Sequence, residues 1–334
     1  MVKLRRILAD LPERQHNGKP LPAALAGLAA LACLTGAAAA VPEYSVRVDA
    51  ALERLHVEAR FEQPVTRIAA RAREAGDYLA DARDCDSDEA LYPRGRRLLL
   101  PAAGIRCLSY TVDIEATSTA ADFRVPGGIR VAGPATWLWR PRLEGDDRLR
   151  VRFDLPDGVQ VAVPWQPVPG QAATYEFGDS PRSGRASMVV GRFDQATRRV
   201  AETEIRITLV AEPGSADMDA LADWVAETAN NVALAYGRFP NPTISVILVP
   251  GTDFAWGGTS AVPVGRVVRD GGESIELLVN LDRPVAEFYT EWTPTHEFAH
   301  LMHPYLSHRH RWISEGMATY YQNVLLARAG AYSE

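Results

Sequence analysis

Apolar and polar residues alternate in short segments over the first two-thirds of the chain, starting near Tyr44. Successive side chains of a strand point to opposite faces, so this alternation is typical of strands with one buried face and one solvated face. Turns rich in proline and glycine separate the segments, and we find no internal repeat. We therefore predict an N-terminal antiparallel β-sandwich over residues 41–212, with strands at residues 44–49, 149–153, 160–163 and 204–209.

The hydrophobic pattern changes after a linker at residues 212–215. Ser215 is a suitable N-cap for a helix whose apolar residues recur every three or four positions, and Pro240 follows the end of that pattern. Apolar segments at 243–249 and 274–279 predict buried strands, and a further helix is expected to begin near Pro294. The chain is therefore predicted to be an α+β protein, in which residues 213–334 form a second, α/β domain.

The helix expected near Pro294 contains the sequence His-Glu-Phe-Ala-His at residues 296–300. Residues four apart on a helix lie on one face, so His296 and His300 can bind the same ion. Catalytic zinc uses three protein ligands and leaves a fourth position for water. Glu297, next to His296, is left free, and it is predicted to be the general base that takes a proton from zinc-bound water.

A second block, Trp-Ile-Ser-Glu-Gly at residues 312–316, supplies a third ligand, Glu315. Pro304 predicts that the first helix ends soon after His300, so a second helix can return Glu315 to the metal. Gly316 costs about 1 kcal/mol within a helix, so helix propensity alone does not explain this block. Two alternatives stay open: the histidines are solvated on a surface helix, or the third ligand is one of His303, His308 and His310.

The two blocks resemble the gluzincin metallopeptidases, and within them the thermolysin-like aminopeptidases, especially the glycyl aminopeptidase family. The resemblance depends on residues 295–300 and 312–321, with a weaker match at residues 256–260. It implies a thermolysin-like catalytic domain at residues 213–334 and a peptide or protein substrate. It also implies one Zn²⁺ per chain, with His296, His300 and Glu315 as ligands and Glu297 as the catalytic base.

The weaker match implies an edge strand that hydrogen-bonds the substrate backbone, formed by Gly257, Gly258, Thr259 and Ser260. In the family this motif carries a glutamate that holds the free α-amine of the substrate, whereas residues 257–261 contain no carboxylate. The sequence therefore leaves exopeptidase and endopeptidase activity open.

Related enzymes continue into a helical subdomain that forms the other wall of the cleft. The catalytic domain here is accordingly expected to be truncated at its C-terminus, since the chain ends 19 residues after Glu315. The group that polarises the oxyanion must then come from residues that are present. Tyr320 and Tyr321 are the catalytic candidates for that role, with Tyr305, His303 and the histidines of residues 307–311 as further candidates.

The N-terminus contains basic residues followed by an uncharged segment at residues 21–41 that is rich in alanine, leucine and glycine. This order predicts a signal peptide over residues 1–40, and hence a periplasmic or secreted protein. The alternatives are an uncleaved membrane anchor and lipidation at Cys33, and contact with a membrane is expected only in those two cases. Export predicts a disulfide between Cys85 and Cys107, the two cysteines outside the leader.

Composition limits the possible partners. The chain has 334 residues and a net charge of -6, and its 47% hydrophobic content is ordinary for a globular protein. A nucleic-acid partner is not expected, because such proteins usually carry a clustered positive surface. The predicted function is an exported zinc-dependent peptidase in which Glu297 activates the zinc-bound water. The alternatives are a zinc-containing interaction module without turnover and a zinc hydrolase of a non-peptide substrate.

Overall fold

The computed structural model describes residues 41–119, 125–178, 186–251 and 260–330. The predicted signal peptide, Cys33 and most of the predicted substrate strand lie outside these residues. The strands are β1 (Glu43–Val48), β2 (Arg54–Val65), β3 (Leu79–Arg83), β4 (Tyr92–Arg94), β5 (Arg97–Leu99), β6 (Ile105–Asp113), β7 (Ile129–Ala132), β8 (Arg148–Asp154), β9 (Gln160–Ala162), β10 (Gln166–Pro167), β11 (Thr174–Gly178), β12 (Met188–Gly191), β13 (Asp194–Val200), β14 (Thr203–Leu209), β15 (Thr243–Pro250), β16 (Val264–Arg269) and β17 (Glu273–Val279). The helices are α1 (Ile114–Thr119), α2 (Pro134–Trp137), α3 (Met218–Ala233), α4 (Val285–Phe288), α5 (Trp292–His300) and α6 (Arg311–Arg328), with 3-10 turns at Glu74–Asp77 and His308–His310.

The N-terminal half is organised around a seven-stranded sheet with the order β10-β11-β8-β1-β2-β6-β3. The sheet is mixed, because β1 pairs in parallel with β8 and antiparallel with β2. Its alternating strands behave as expected: Val46 and Val48 of β1 are buried while Arg47 between them is exposed. The disulfide between Cys85 and Cys107 is formed, as the sequence predicts.

A three-stranded sheet with the order β7-β12-β9 lies between two hydrophobic cores. On one face, Met188 and Val190 of β12 join the core of the seven-stranded sheet. On the other face, Val189 packs against Val210 and Ile247, which belong to the C-terminal region. Burial of both faces explains why β12 is apolar at every position rather than alternating.

The C-terminal region contains a five-stranded sheet with the order β13-β14-β15-β17-β16. Strands β13 and β14 belong to this sheet, so the chain enters the second sheet before residue 212, where the domain boundary is predicted. Alternation identified β14 as a strand, but it carries no information about which sheet a strand joins. The N-cap of α3 is Asp217 rather than Ser215, and its carboxylate accepts a hydrogen bond from the backbone N–H of Ala220.

The helices pack on one face of this sheet. Ile275 and Leu277 of β17 share a core with Leu221 and Val225 of α3 and with Phe298 of α5. Strand β16 is one of the two edge strands, so one side of its backbone has no neighbouring strand among the described residues. Within the described ranges, we find no helix with the length and apolar character that crossing a bilayer requires.

Candidate metal centre

Helix α5 carries three of the predicted site residues, and both of its ends are anchored. At its start, the carboxylate of Glu291 accepts hydrogen bonds from the hydroxyl of Ser260 and the backbone N–H of Ala261, at 2.8 and 2.6 Å. At its end, the guanidinium of Arg269 donates to the carbonyls of His300 and His303, at 2.7 and 3.0 Å. A cation is also favourable there because the C-terminal end of a helix carries partial negative charge.

His296 and His300 lie on one face of α5, with ring centroids 4.8 Å apart. Helix α6 brings Glu315 against them. One carboxylate oxygen of Glu315 lies 3.3 Å from Nε2 of His296 and 3.5 Å from Nε2 of His300. Ligands placed 2.0–2.1 Å from a tetrahedral zinc are separated from one another by about 3.3–3.4 Å. These two separations therefore match a tetrahedral zinc site, and the ligand atoms of all three residues lie within 4.8 Å of one another.

The protonation states of these groups suit a cation. Burial and the neighbouring His296 lower the pKa of His300 to about 4, so its imidazole is neutral near pH 7 and can bind a metal through Nε2. Burial raises the pKa of Glu315. The hydrogen bond from Arg311 and the two nearby histidines lower this pKa by more than burial raises it, so the net pKa is below the ordinary value. Glu315 is therefore a carboxylate.

Glu297 is buried, with 8% of its surface exposed. Burial, and then the negative charge of Glu315, raise its pKa to about 7, while a hydrogen bond from the backbone N–H of Val267 opposes this shift. Gly265 of β16 lies directly against Glu297: a Cβ atom on Gly265 would stand 2.5 Å from Cγ of Glu297. The edge strand therefore approaches α5 closely only because position 265 has no side chain.

His296 and His300 each have a partner for the nitrogen Nδ1. Nδ1–H of His296 donates to the amide oxygen of Gln322 at 3.0 Å. Nδ1 of His300 lies 3.1 Å from the hydroxyl of Ser314, which is 3.3 Å from Nε2 of His303. Such contacts fix the tautomer and the ring orientation, so that both Nε2 atoms face Glu315.

Sequence reasoning missed Gln322, although its position seven residues after Glu315 places both on one face of α6. The sequence leaves His303 open as an alternative third ligand. The structure places it behind His300 instead, where its Nδ1–H donates to the carbonyl of Pro304 at 2.8 Å. The described residues contain one further group with ligand-like side chains, Glu58, Cys85 and Cys107, but its two sulfurs are joined in the disulfide.

A cleft of about 530 Å³ opens beside Glu297, His300 and Glu315. Its walls come from strand β16 and from the segment that connects α5 to α6, including Tyr305. Tyr305 is thus the tyrosine that lines this cleft, and neither Tyr320 nor Tyr321 does so.

The remaining predicted site residues lie elsewhere. Tyr321 hydrogen-bonds the hydroxyl of Tyr236, and Tyr320 is 64% exposed. Ser260 bonds Glu291 at the start of α5. Gly257, Gly258 and Thr259 lie outside the described residues.

Comparison with solved structures identifies this fold. An aminopeptidase N family protein from Idiomarina loihiensis matches with a TM-score of 0.62 and 12% identity, over 88% of this chain and 55% of that protein. A variant of an M1 zinc metallopeptidase from Deinococcus radiodurans, bound to a Tyr-Ser-Ala substrate, matches with a TM-score of 0.52 and 13% identity, over 87% of this chain and 71% of the other. No protein-family model and no curated protein matches the sequence. The chain thus spans little more than half of the first protein, and the described structure shares the fold of these two solved structures.

Proposed function

We propose that this protein is an exported zinc-dependent peptidase. The observation that carries the proposal is the convergence of His296, His300 and Glu315, whose ligand atoms lie within 4.8 Å of one another, beside a buried carboxylate, Glu297. The disulfide between Cys85 and Cys107 supports export, because disulfides persist mainly in oxidising compartments.

In this proposal His296, His300 and Glu315 hold one zinc ion. When bound, zinc supplies a Lewis acid that polarises a carbonyl and makes water more acidic. Glu297 accepts a proton from the attacking water at a carboxylate oxygen and returns it to the nitrogen of the leaving amine. The buried position of Glu297 and its contact with Val267 keep this carboxylate directed at the cleft.

Strand β16 supports peptides as the substrate class. An edge strand offers backbone groups to which an extended peptide can add as a further strand. Because β16 lines the same cleft as Glu297, a peptide bound along it would pass the ligand residues. This assigns substrate binding to residues 264–269, downstream of the segment that the sequence resemblance indicates. Tyr305 is the candidate donor for the oxyanion, since it lines the cleft.

Aminopeptidase activity, including specificity like that of the glycyl aminopeptidases, is a finer proposal that rests on the sequence resemblance. The experiment that tests the function measures zinc per purified chain by elemental analysis, together with cleavage of a mixed peptide library with and without a chelator. One zinc with chelator-sensitive cleavage is expected, and the positions of the cuts distinguish removal of N-terminal residues from internal cleavage. Zinc without cleavage would contradict the peptidase, and absence of zinc would contradict the metal centre itself.

A further inference from the structure

An arginine-lined cleft lies in the N-terminal half, apart from the metal centre. It has a volume of about 910 Å³ and is formed by three segments: residues 66–71, 94–99 and 140–142. Its lining contains seven arginines, Arg67, Arg71, Arg94, Arg96, Arg97, Arg140 and Arg142, and neither aspartate nor glutamate. The whole chain carries a net charge of -6, so this concentration of positive charge runs against the overall composition. We call this feature the arginine cleft.

Backbone hydrogen bonds hold the three segments of the arginine cleft together. The N–H of Ala69 donates to the carbonyl of Arg140, and the N–H of Arg140 donates back to Ala69, at 3.0 and 3.1 Å. The N–H of Ala70 donates to the carbonyl of Arg96 at 3.0 Å. Arg140 is only 9% exposed, and its guanidinium lies 5.6 Å from the ring centroid of Phe177. The shape of the arginine cleft is therefore fixed by backbone hydrogen bonds between its three segments.

Most of the charge in the arginine cleft has no acidic partner. Arg67, Arg94, Arg96 and Arg97 are exposed, and they make no ion pair and no side-chain hydrogen bond within the described ranges of the chain. Arg71 lies 3.8 Å from Asp270 and Arg142 lies 3.6 Å from Glu144, and both carboxylates are outside the lining. Like charges around one concave surface focus the electrostatic potential and raise the local concentration of anions. An anionic ligand would relieve this repulsion.

The chemistry of the guanidinium group indicates which anion would bind. Its planar set of donors matches the oxygens of phosphate and carboxylate groups through two parallel hydrogen bonds. The four exposed guanidiniums without an ion pair among the described residues, at Arg67, Arg94, Arg96 and Arg97, can together engage more than one such group. We propose that the arginine cleft binds a ligand that carries two or more phosphate groups.

Two sources could present this chemistry. One is a soluble polyphosphate compound, which would enter the cleft itself. The other is the headgroup layer of an anionic membrane. Tyr92 and Leu99 lie opposite each other in the β4–β5 hairpin, beside Arg94 and Arg97, and are 67% and 54% exposed. Apolar side chains next to arginines suit the boundary between headgroups and acyl chains.

The test compares two variants of the full chain that remove equal charge. The cleft variant is Arg94→Gln/Arg96→Gln/Arg97→Gln. The control is Arg47→Gln/Arg54→Gln/Arg238→Gln, at exposed arginines outside the arginine cleft that form no ion pair among the described residues. Binding of tripolyphosphate is measured by titration calorimetry, and binding to phosphatidylglycerol vesicles by co-sedimentation. Because tripolyphosphate also binds zinc, the comparison between variants with identical metal-centre residues isolates the arginine cleft.

We expect the cleft variant to lose about tenfold or more in affinity relative to the control, with an unchanged melting temperature. A loss with tripolyphosphate assigns the ligand to soluble phosphates. A loss confined to vesicles assigns it to membrane headgroups. The proposal is overturned if wild-type protein binds neither probe, or if the cleft and control variants bind equally. Peptidase activity is expected to be the same in both variants, since none of the six arginines lines the cleft beside the metal centre.

Discussion

The two helices that form the candidate metal centre differ in how the fold holds them. Helix α5 has nine residues, of which Thr293, Pro294, Thr295, Glu297, Phe298 and Ala299 are buried. Helix α6 has 18 residues, of which only Ala318, Leu325 and Leu326 are buried. Its aromatic residues Trp312 and Tyr320 are 74% and 64% exposed. One half of the site is therefore part of the hydrophobic core, and the other half lies at the surface.

This difference shows how two kinds of interaction position one site. The side chains of α5 are held by close packing, which tolerates little change in volume. The polar residues of α6 are held by hydrogen bonds, such as that from Arg311 to Glu315 at 3.1 Å. Substitutions on α5 and on the strand beneath it should therefore act by displacing the closely packed side chains of the site. Substitutions on α6 should act only where a specific hydrogen bond is lost.

The largest effect is expected for Glu297→Gln on α5. The amide has nearly the same shape as the carboxylate but cannot accept the proton, so kcat should fall by about 10²–10⁴-fold. Bound zinc should remain at one per chain, because Glu297 is not one of the three proposed ligands. Kinetics and elemental analysis of the same preparation check this. The matched control is Glu287→Gln on α4, where the glutamate pairs with Arg283. A fully active Glu297→Gln variant would refute the assigned base.

A smaller loss is expected for Gly265→Ala, which tests packing against α5. The added Cβ would stand 2.5 Å from Cγ of Glu297 and 3.0 Å from Cδ2 of Leu277. Overpacking of this kind costs about 1–3 kcal/mol of unfolding free energy. Displacement of the base by about 1 Å can cost on the order of 10²-fold in turnover.

The control for Gly265→Ala is Gly316→Ala on α6, where the added Cβ meets nothing within 4 Å. That change should preserve turnover and stabilise the protein by up to about 1 kcal/mol, since alanine favours a helix over glycine. Thermal unfolding and peptide hydrolysis distinguish the two variants. Equal activity of both would show that position 265 does not position Glu297.

A still smaller and more specific effect is expected for Gln322→Ala on α6. Loss of the acceptor for Nδ1–H of His296 should weaken zinc binding by about 10–100-fold, with little change in the melting temperature of the zinc-free protein. Competition with a metal chelator measures this affinity. Gln322→Glu, which keeps an acceptor oxygen, should restore zinc binding. The control Asn323→Ala removes an exposed amide on the same helix that donates to the backbone carbonyl of Thr319. Equal zinc affinity in Gln322→Ala and wild type would remove Gln322 from the centre.

The smallest effect is expected for Trp312→Ser, on the solvent side of α6. Because this tryptophan is 74% exposed, its loss should change the unfolding free energy by no more than about 0.5 kcal/mol. Denaturant titration measures the change. A loss of several kcal/mol would mean that α6 is packed far more closely than its burial indicates.

Several features could be predicted from the sequence because they depend on local geometry. The helical period alone places His296 and His300 on one face, and the spacing of the two blocks allows Glu315 to return to them. Alternation identified β1 and β14 as strands, and the cysteine count together with the leader predicted the disulfide. Alternation did not reveal the parallel pairing of β1 with β8 or the transfer of β13 and β14 to the second sheet, because it reports only which face of a strand is buried.

The sequence by itself therefore determined which side chains are candidates for the proposed zinc chemistry: two imidazoles one helical turn apart, a carboxylate between them and a second carboxylate on another helix. The tertiary structure decided what surrounds that chemistry. It placed Gly265 beneath Glu297, put Gln322 and Ser314 behind the histidines, and left Tyr320 and Tyr321 away from the cleft. It also joined three separate segments into the arginine cleft. The physical reason is that these contacts join residues on different elements, and their approach depends on how the sheets and helices pack.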